Sequence, residues 1–147
     1  MAKRERHLDY VTALERTNVE VIRGTFDRPR RYCVANDLWC RTYSEKKTNV
    51  AITINLLADG YRDECDIAYL MSADSDHVPL VEKFLECFQG KALFVIAPPN
   101  RLTQARELIQ SVGRRSLQLT AGRLRQHLLP REFRVRKENV SRPALYG

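Results

Sequence analysis

Two short runs, Ile67-Ala68-Tyr69-Leu70-Met71 and Ala92-Leu93-Phe94-Val95-Ile96-Ala97, are apolar or aromatic at every position, without the polar alternation of a strand that has one wet face. The first is too short and too uniformly apolar for a half-solvated strand, and Pro98-Pro99 stops the second. They predict interior strands of a parallel sheet covered on both faces. The first run leads into Asp74-Ser75-Asp76, at the strand end where an open α/β sheet places its ligands. Beyond it, Val78, Val81, Leu85 and Phe88 recur at helical spacing, widened by Leu80 and Phe84, and Pro79 falls in the first turn, where its missing N–H does no harm.

The rest of the chain fits the same class. Leu8, Val11 and Leu14, with Tyr10, predict a helix over 5–16, and Val19 to Ile22 reads as a strand. A helix feeding a strand implies an earlier strand, so the chain is expected to start inside its domain. Residues 24–44 resist regular assignment. A helix is expected over 44–59, with Val50, Ile54, Leu57 and Tyr61 on one face. Leu102, Ala105, Leu108 and Ile109 mark a further helix, Ser116 to Leu119 an edge strand, and Ala121 to Leu129 a last helix ended by Pro130. The expected architecture is a single three-layer parallel α/β domain over 1–147, Rossmann-like and N-terminally incomplete.

Charge is unevenly placed. The net charge is +7, yet up to Val112 basic and acidic residues balance, and the whole excess lies in the segment 113–147. Arg114, Arg115, Arg123 and Arg125 open that segment, a footprint for phosphate backbones or a solvated basic tail. Arg28, Arg30, Arg31 and Arg41 alternate with Tyr32, Trp39 and Tyr43, which suits unpaired bases; the competing reading is a hairpin whose aromatics serve the core. Cys33, Cys40, Cys65 and Cys87 have no framework spacing, and no apolar signal core follows Met1, so reduced thiols and a cytoplasmic location are expected.

Asp74 and Asp76 on one turn are what Mg²⁺ or Mn²⁺ takes, through one or two carboxylates plus waters and substrate phosphates. The plainer alternative is that Asp76 or Ser75 caps the following helix. An Asp-x-Asp phosphatase loop would need further paired acids, and those after Asp76 (Glu82, Glu86, Glu107, Glu132 and Glu138) are scattered.

Several segments together resemble the NYN domain, a LabA-like branch of the PIN-like nucleases. They are Leu14 to Gly24, Glu45 to Asp59 with Lys-Lys-Thr-Asn-Val and Asn-Leu-Leu, Asp66 to Val81 with Ser-Ala-Asp-Ser-Asp-His-Val-Pro-Leu-Val, and Ala97-Pro98-Pro99. The resemblance implies a PIN-like fold and metal-dependent ribonuclease or RNA-processing activity. Family members carry an Asp-Gly-Asn-like turn after a first strand that this sequence lacks. Their Lys-Gly-Thr-Asp-Val motif ends here in Lys47-Thr48-Asn49-Val50, and a later Asp corresponds to Asn55. The resemblance therefore assigns metal binding to Asp74 and Asp76, an assisting catalytic place to Asn49, and RNA contacts to the arginines from Arg114 to Arg125. The alternative is a catalytically inactive RNA-binding or protein-interaction module of the same fold. Without its first strand the sheet would expose an edge, to be covered by a second copy or a partner chain.

Overall fold

The computed structural model describes residues 3–41, 43–135 and 138–141. In chain order it has α1 (Lys3–Glu15), β1 (Thr25–Asp27), β2 (Arg30–Cys33), β3 (Leu38–Arg41), β4 (Ser44–Lys46), α2 (Thr48–Tyr61) and β5 (Ile67–Met71). Next come α3 (Val78–Cys87), β6 (Ala92–Ala97), α4 (Arg106–Val112), β7 (Ser116–Gln118), α5 (Ala121–Gln126), β8 (Glu132–Val135) and β9 (Glu138–Ser141). The described residues gather into two compact units, one of Arg23–Ala121 and one joining the segment up to Ile22 with that from Gly122 onward.

The larger unit is a mixed α/β body around a parallel sheet in the order β5-β6-β7. Ile67 to Met71 pair in register with Ala92 to Ile96, and Val95 to Ala97 with Ser116 to Gln118. Helices cover one face. Ala68, Leu70, Leu93 and Val95 point into a core completed by Leu80, Val81 and Phe84 of α3 and Leu108 and Val112 of α4, with Ile52, Leu56 and Leu57 of α2 packed against it. Phe84, Leu93 and Leu108 are fully buried, each worth about 1.5–3 kcal/mol relative to exposure. In the smaller unit, α1 buries Val11 and Ala13 and lies against β8, which pairs with β9 as an antiparallel hairpin that the sequence pattern did not predict. Among the described residues no helix is long and apolar enough to cross a membrane.

Several expectations are corrected. Among the described residues β5 has one hydrogen-bonded neighbour, β6, so it is an edge strand and β6 the interior one. Nor is the sheet covered on both faces: Ile67, Tyr69, Met71 and Leu117, on the side away from the core, are each about half exposed. Val19 to Ile22 forms no strand, because a strand exists only where its N–H and C=O groups find a partner. The span 24–44, read as irregular, holds two antiparallel pairs, β1 with β4 and β2 with β3. The helix over 44–59 starts later, at Thr48, since Ser44–Lys46 is taken by β4. Of its expected stripe Leu57 packs against the core while Val50, Ile54 and Tyr61 are exposed, and the rest of the packed face is Ile52, Leu56 and buried Gly60.

Candidate metal and phosphate site

At the C-terminal end of β5, Asp74 and Asp76 are met by Asn49, 25 and 27 positions earlier in the chain. Asp74 and Asp76 lie on the turn from β5 to α3, which passes through a single 3-10 turn, Ser75–His77. Ser72 Oγ accepts from the Asp74 N–H at 3.1 Å, and Asp74 Oδ1 accepts from the Asp76 N–H at 3.1 Å. Asp74, rather than Asp76 or Ser75, therefore caps the turn. Its second oxygen remains for the site. The Asn49 side-chain Nδ2 donates to Asp74 Oδ2 at 3.0 Å and to Asp76 Oδ2 at 3.4 Å, bridging the two carboxylates.

The local fold explains how Asn49 gets there. It is the second residue of α2, whose N-terminus follows Lys47 in a left-handed conformation, φ 73°. No Lys47 side chain caps the helix; instead Glu45 Oε1 accepts from the Thr48 N–H at 3.1 Å and also contacts the Thr48 hydroxyl. A carboxylate there meets an orphan donor and the positive end of the helix dipole. Asn55 takes no part in the cluster, since its Nδ2 donates to the Ala51 carbonyl at 2.8 Å within the helix.

The electrostatics favour charge on Asp74. The backbone N–H of Asp76 and then the Asn49 amide hold its carboxyl below the usual aspartate range; slight burial opposes them and the neighbouring His77 adds to the lowering. His77, the last residue of the turn, is buried, and its Nδ1 has no hydrogen-bond partner among the described residues. Both Asp side chains reach solvent. Asp74 also lines an open cleft of about 470 Å³ with Ala73, Pro98, Arg101 and Gln104. The cleft lies where β5 and β6 end, as expected for a parallel sheet.

Arg101 and Gln104 were not singled out in the sequence, although Pro98-Pro99 places the segment after β6 at the same sheet edge as Asp74. The arginines that were singled out lie elsewhere. Arg114 and Arg115 are exposed at the start of β7, and because all three strands are parallel this is the end of the sheet away from Asp74. Arg123 and Arg125 are exposed on α5, beyond the boundary of the larger unit. Arg136, Lys137 and Arg142 fall outside the described residues.

Among the described residues no group of three or more His, Cys, Asp or Glu is placed to hold a metal ion. Two exposed carboxylates and an amide form an all-oxygen donor set that suits a hard, partly hydrated cation such as Mg²⁺ or Mn²⁺ if the Asn49 amide turns its oxygen inward. No protein-family model, curated protein or solved structure matches the chain.

Proposed function

We propose that the chain is a PIN-like domain of the NYN type that cleaves or processes RNA with Mg²⁺ or Mn²⁺ held by Asp74 and Asp76. The observation that carries this reading is the bridge from Asn49 to both carboxylates, since positions 49, 74 and 76, named from the resemblance, converge on one point. The backbone at Lys47 supports it as well. With Thr48-Asn49-Val50 set under the Thr-Asp-Val of the family motif, the motif's glycine falls on Lys47, where φ is 73°.

In this reading Asp74 and Asp76 supply the anionic donors, the Asp74 cap fixes one carboxylate against the turn, and Asn49 keeps the two side chains together. Arg101, which lines the same cleft as Asp74, meets the phosphate. A bound divalent cation supplies charge neutralisation at that phosphate and lowers the pKa of an attacking water. The exposed apolar side of the sheet, and the edge of β5 that has no neighbouring strand among the described residues, suit a covering surface, either a second copy or a partner chain.

The test is cleavage of single-stranded RNA with Mn²⁺ by the full chain, beside Asp74→Ala and Asp76→Ala. Wild-type turnover that both variants lose supports the reading, and turnover that survives in both overturns it. A specific observation favours a second reading, an RNA-binding module without catalysis: Asn49 brings a neutral amide where a third carboxylate would add charge. Binding without turnover at any Mn²⁺ concentration selects that one.

A further inference from the structure

The β2–β3 hairpin carries a second surface, set apart from the acid cluster by its chemistry. Register pairs Arg30 with Arg41 and Tyr32 with Trp39, so these four side chains share one face, and all four are exposed. The reverse face carries Arg31, Cys33, Leu38 and Cys40, of which the two cysteines are half-buried. The aromatics are therefore not core residues, as the ordinary reading of their sequence pattern had them. Trp39 is 61% exposed, and Tyr43, just beyond the hairpin, is 70% exposed.

The arrangement is ordered. Tyr32 and Trp39 meet edge to face, with ring centroids 5.7 Å apart. The Arg30 guanidinium lies 6.0 Å from the Trp39 ring centre and that of Arg28 5.3 Å from the Tyr43 ring centre. The Tyr32 hydroxyl donates to Asp37 in the hairpin loop, which fixes the ring and occupies the one carboxylate of the hairpin. The face is thus two rings side by side with two cations paired next to them toward the open end of the hairpin, and the Asp37 carboxylate at the loop end engaged by the Tyr32 hydroxyl. Adjoining exposed aromatics form a contiguous apolar patch of the kind that often marks a contact site.

We propose that the face formed by Arg30, Tyr32, Trp39 and Arg41 is a stacking platform for the unpaired bases of a single-stranded nucleic acid. Flat rings offer a π-face to any base, and the two guanidinium groups paired beside them match the charge of the phosphates that run past it. Duplex bases are stacked on one another and present no free face to such rings. The inference does not depend on catalysis at Asp74 and Asp76.

Trp39 is the sole tryptophan, so intrinsic fluorescence reports on this face directly. The full chain is titrated with a uridine oligomer of roughly ten nucleotides, in EDTA so that no metal-dependent cleavage intrudes. Saturable quenching is expected. By anisotropy of a labelled oligomer, Trp39→Ala weakens binding about tenfold while Trp39→Phe, which keeps a ring, stays close to wild type. Arg30→Gln with Arg41→Gln removes the quenching, and circular dichroism verifies that each variant remains folded. Oligomer binding without quenching, equal quenching by duplex RNA, or equal quenching by inorganic polyphosphate overturns the proposal. Quenching without Mn²⁺-dependent cleavage sinks the nuclease reading and leaves the platform standing; cleavage without quenching does the reverse.

Discussion

At Lys47 the backbone holds φ at 73°, a region that costs a residue with a Cβ about 1–2 kcal/mol and glycine almost nothing. Lys47→Gly should therefore raise stability by about 0.5–1 kcal/mol after glycine's larger loss of chain entropy is set against the relief. A denaturant melt measures it; a lower midpoint would mean that Lys47 makes a compensating contact. Two residues on, Asn49 holds two carboxylates together without adding charge. Asn49→Asp places a third carboxylate within the same few ångströms and should cost roughly 1–2 kcal/mol without metal, by repulsion near the surface. With Mn²⁺ the variant should gain more in Tm than wild type does, because binding to the folded state alone stabilises it. An equal Mn²⁺ shift in both proteins would detach Asn49 from any cation site. The acid pair was legible in the sequence because Asp-x-Asp closes an apolar strand. The capping role of Asp74 was not, since either acid could have served and only the turn geometry chooses.

Between elements, the joint of α2 with α3 turns on Gly60. A Cβ there would lie 2.6 Å from the Phe88 ring, and that ring is held edge to face between Tyr61 and Phe84. Gly60→Ala should therefore lose about 1–3 kcal/mol to overpacking, despite alanine's better helix propensity, and Phe88→Leu in that background should recover part of it. A stabilised single variant in thermal melts would refute the close approach. A second joint ties the α2–β5 turn to the start of β6, where Lys91 donates to the Asp63 carboxylate and, at 2.8 Å, to the Cys65 carbonyl. The Lys91 ammonium holds Asp63 below the usual aspartate range, so the stabilisation is complete above that range and fades as pH falls through the lowered value. Lys91 is raised above the usual lysine range by Asp63, with Asp66 adding to it, so its share fades only as pH climbs through that raised value. Asp63→Asn should lower Tm at neutral pH and converge with wild type in acid; a gap that persists in acid would place the effect elsewhere. The α3, β5 and β6 elements were legible because unbroken apolar runs and a three-four stripe each admit one arrangement. In the span 24–46 a hairpin was legible only as an alternative and the β1–β4 pair not at all, because these strands are three or four residues long, too short for a period to emerge.

For the whole molecule, two opposed surface tendencies arise from one charge distribution. The outer side of the sheet presents Ile67, Tyr69, Met71 and Leu117, and β5 leaves one edge without a strand among the described residues. Its sequence read as a strand buried on both faces, and the mismatch arises because apolarity records what a surface is suited to touch, not whether a neighbour is present in this chain. Apolar area of this kind drives association, while a net charge of +7 on each copy resists it. Salt screens the repulsion, with a Debye length near 10 Å at about 0.1 M and 3 Å at 1 M, and leaves the apolar attraction intact. Self-association followed by sedimentation should therefore strengthen as salt rises. Tyr69→Lys with Met71→Lys, on the solvent side of β5, should keep the chain monomeric at concentrations where wild type associates. Nucleic-acid binding depends on counterion release and must weaken over the same range of salt. The two responses thus carry opposite signs. Association that weakened with salt alongside RNA binding would mean that both arise from the basic segment and nucleic acid carried with it, and would remove the sheet face as their cause.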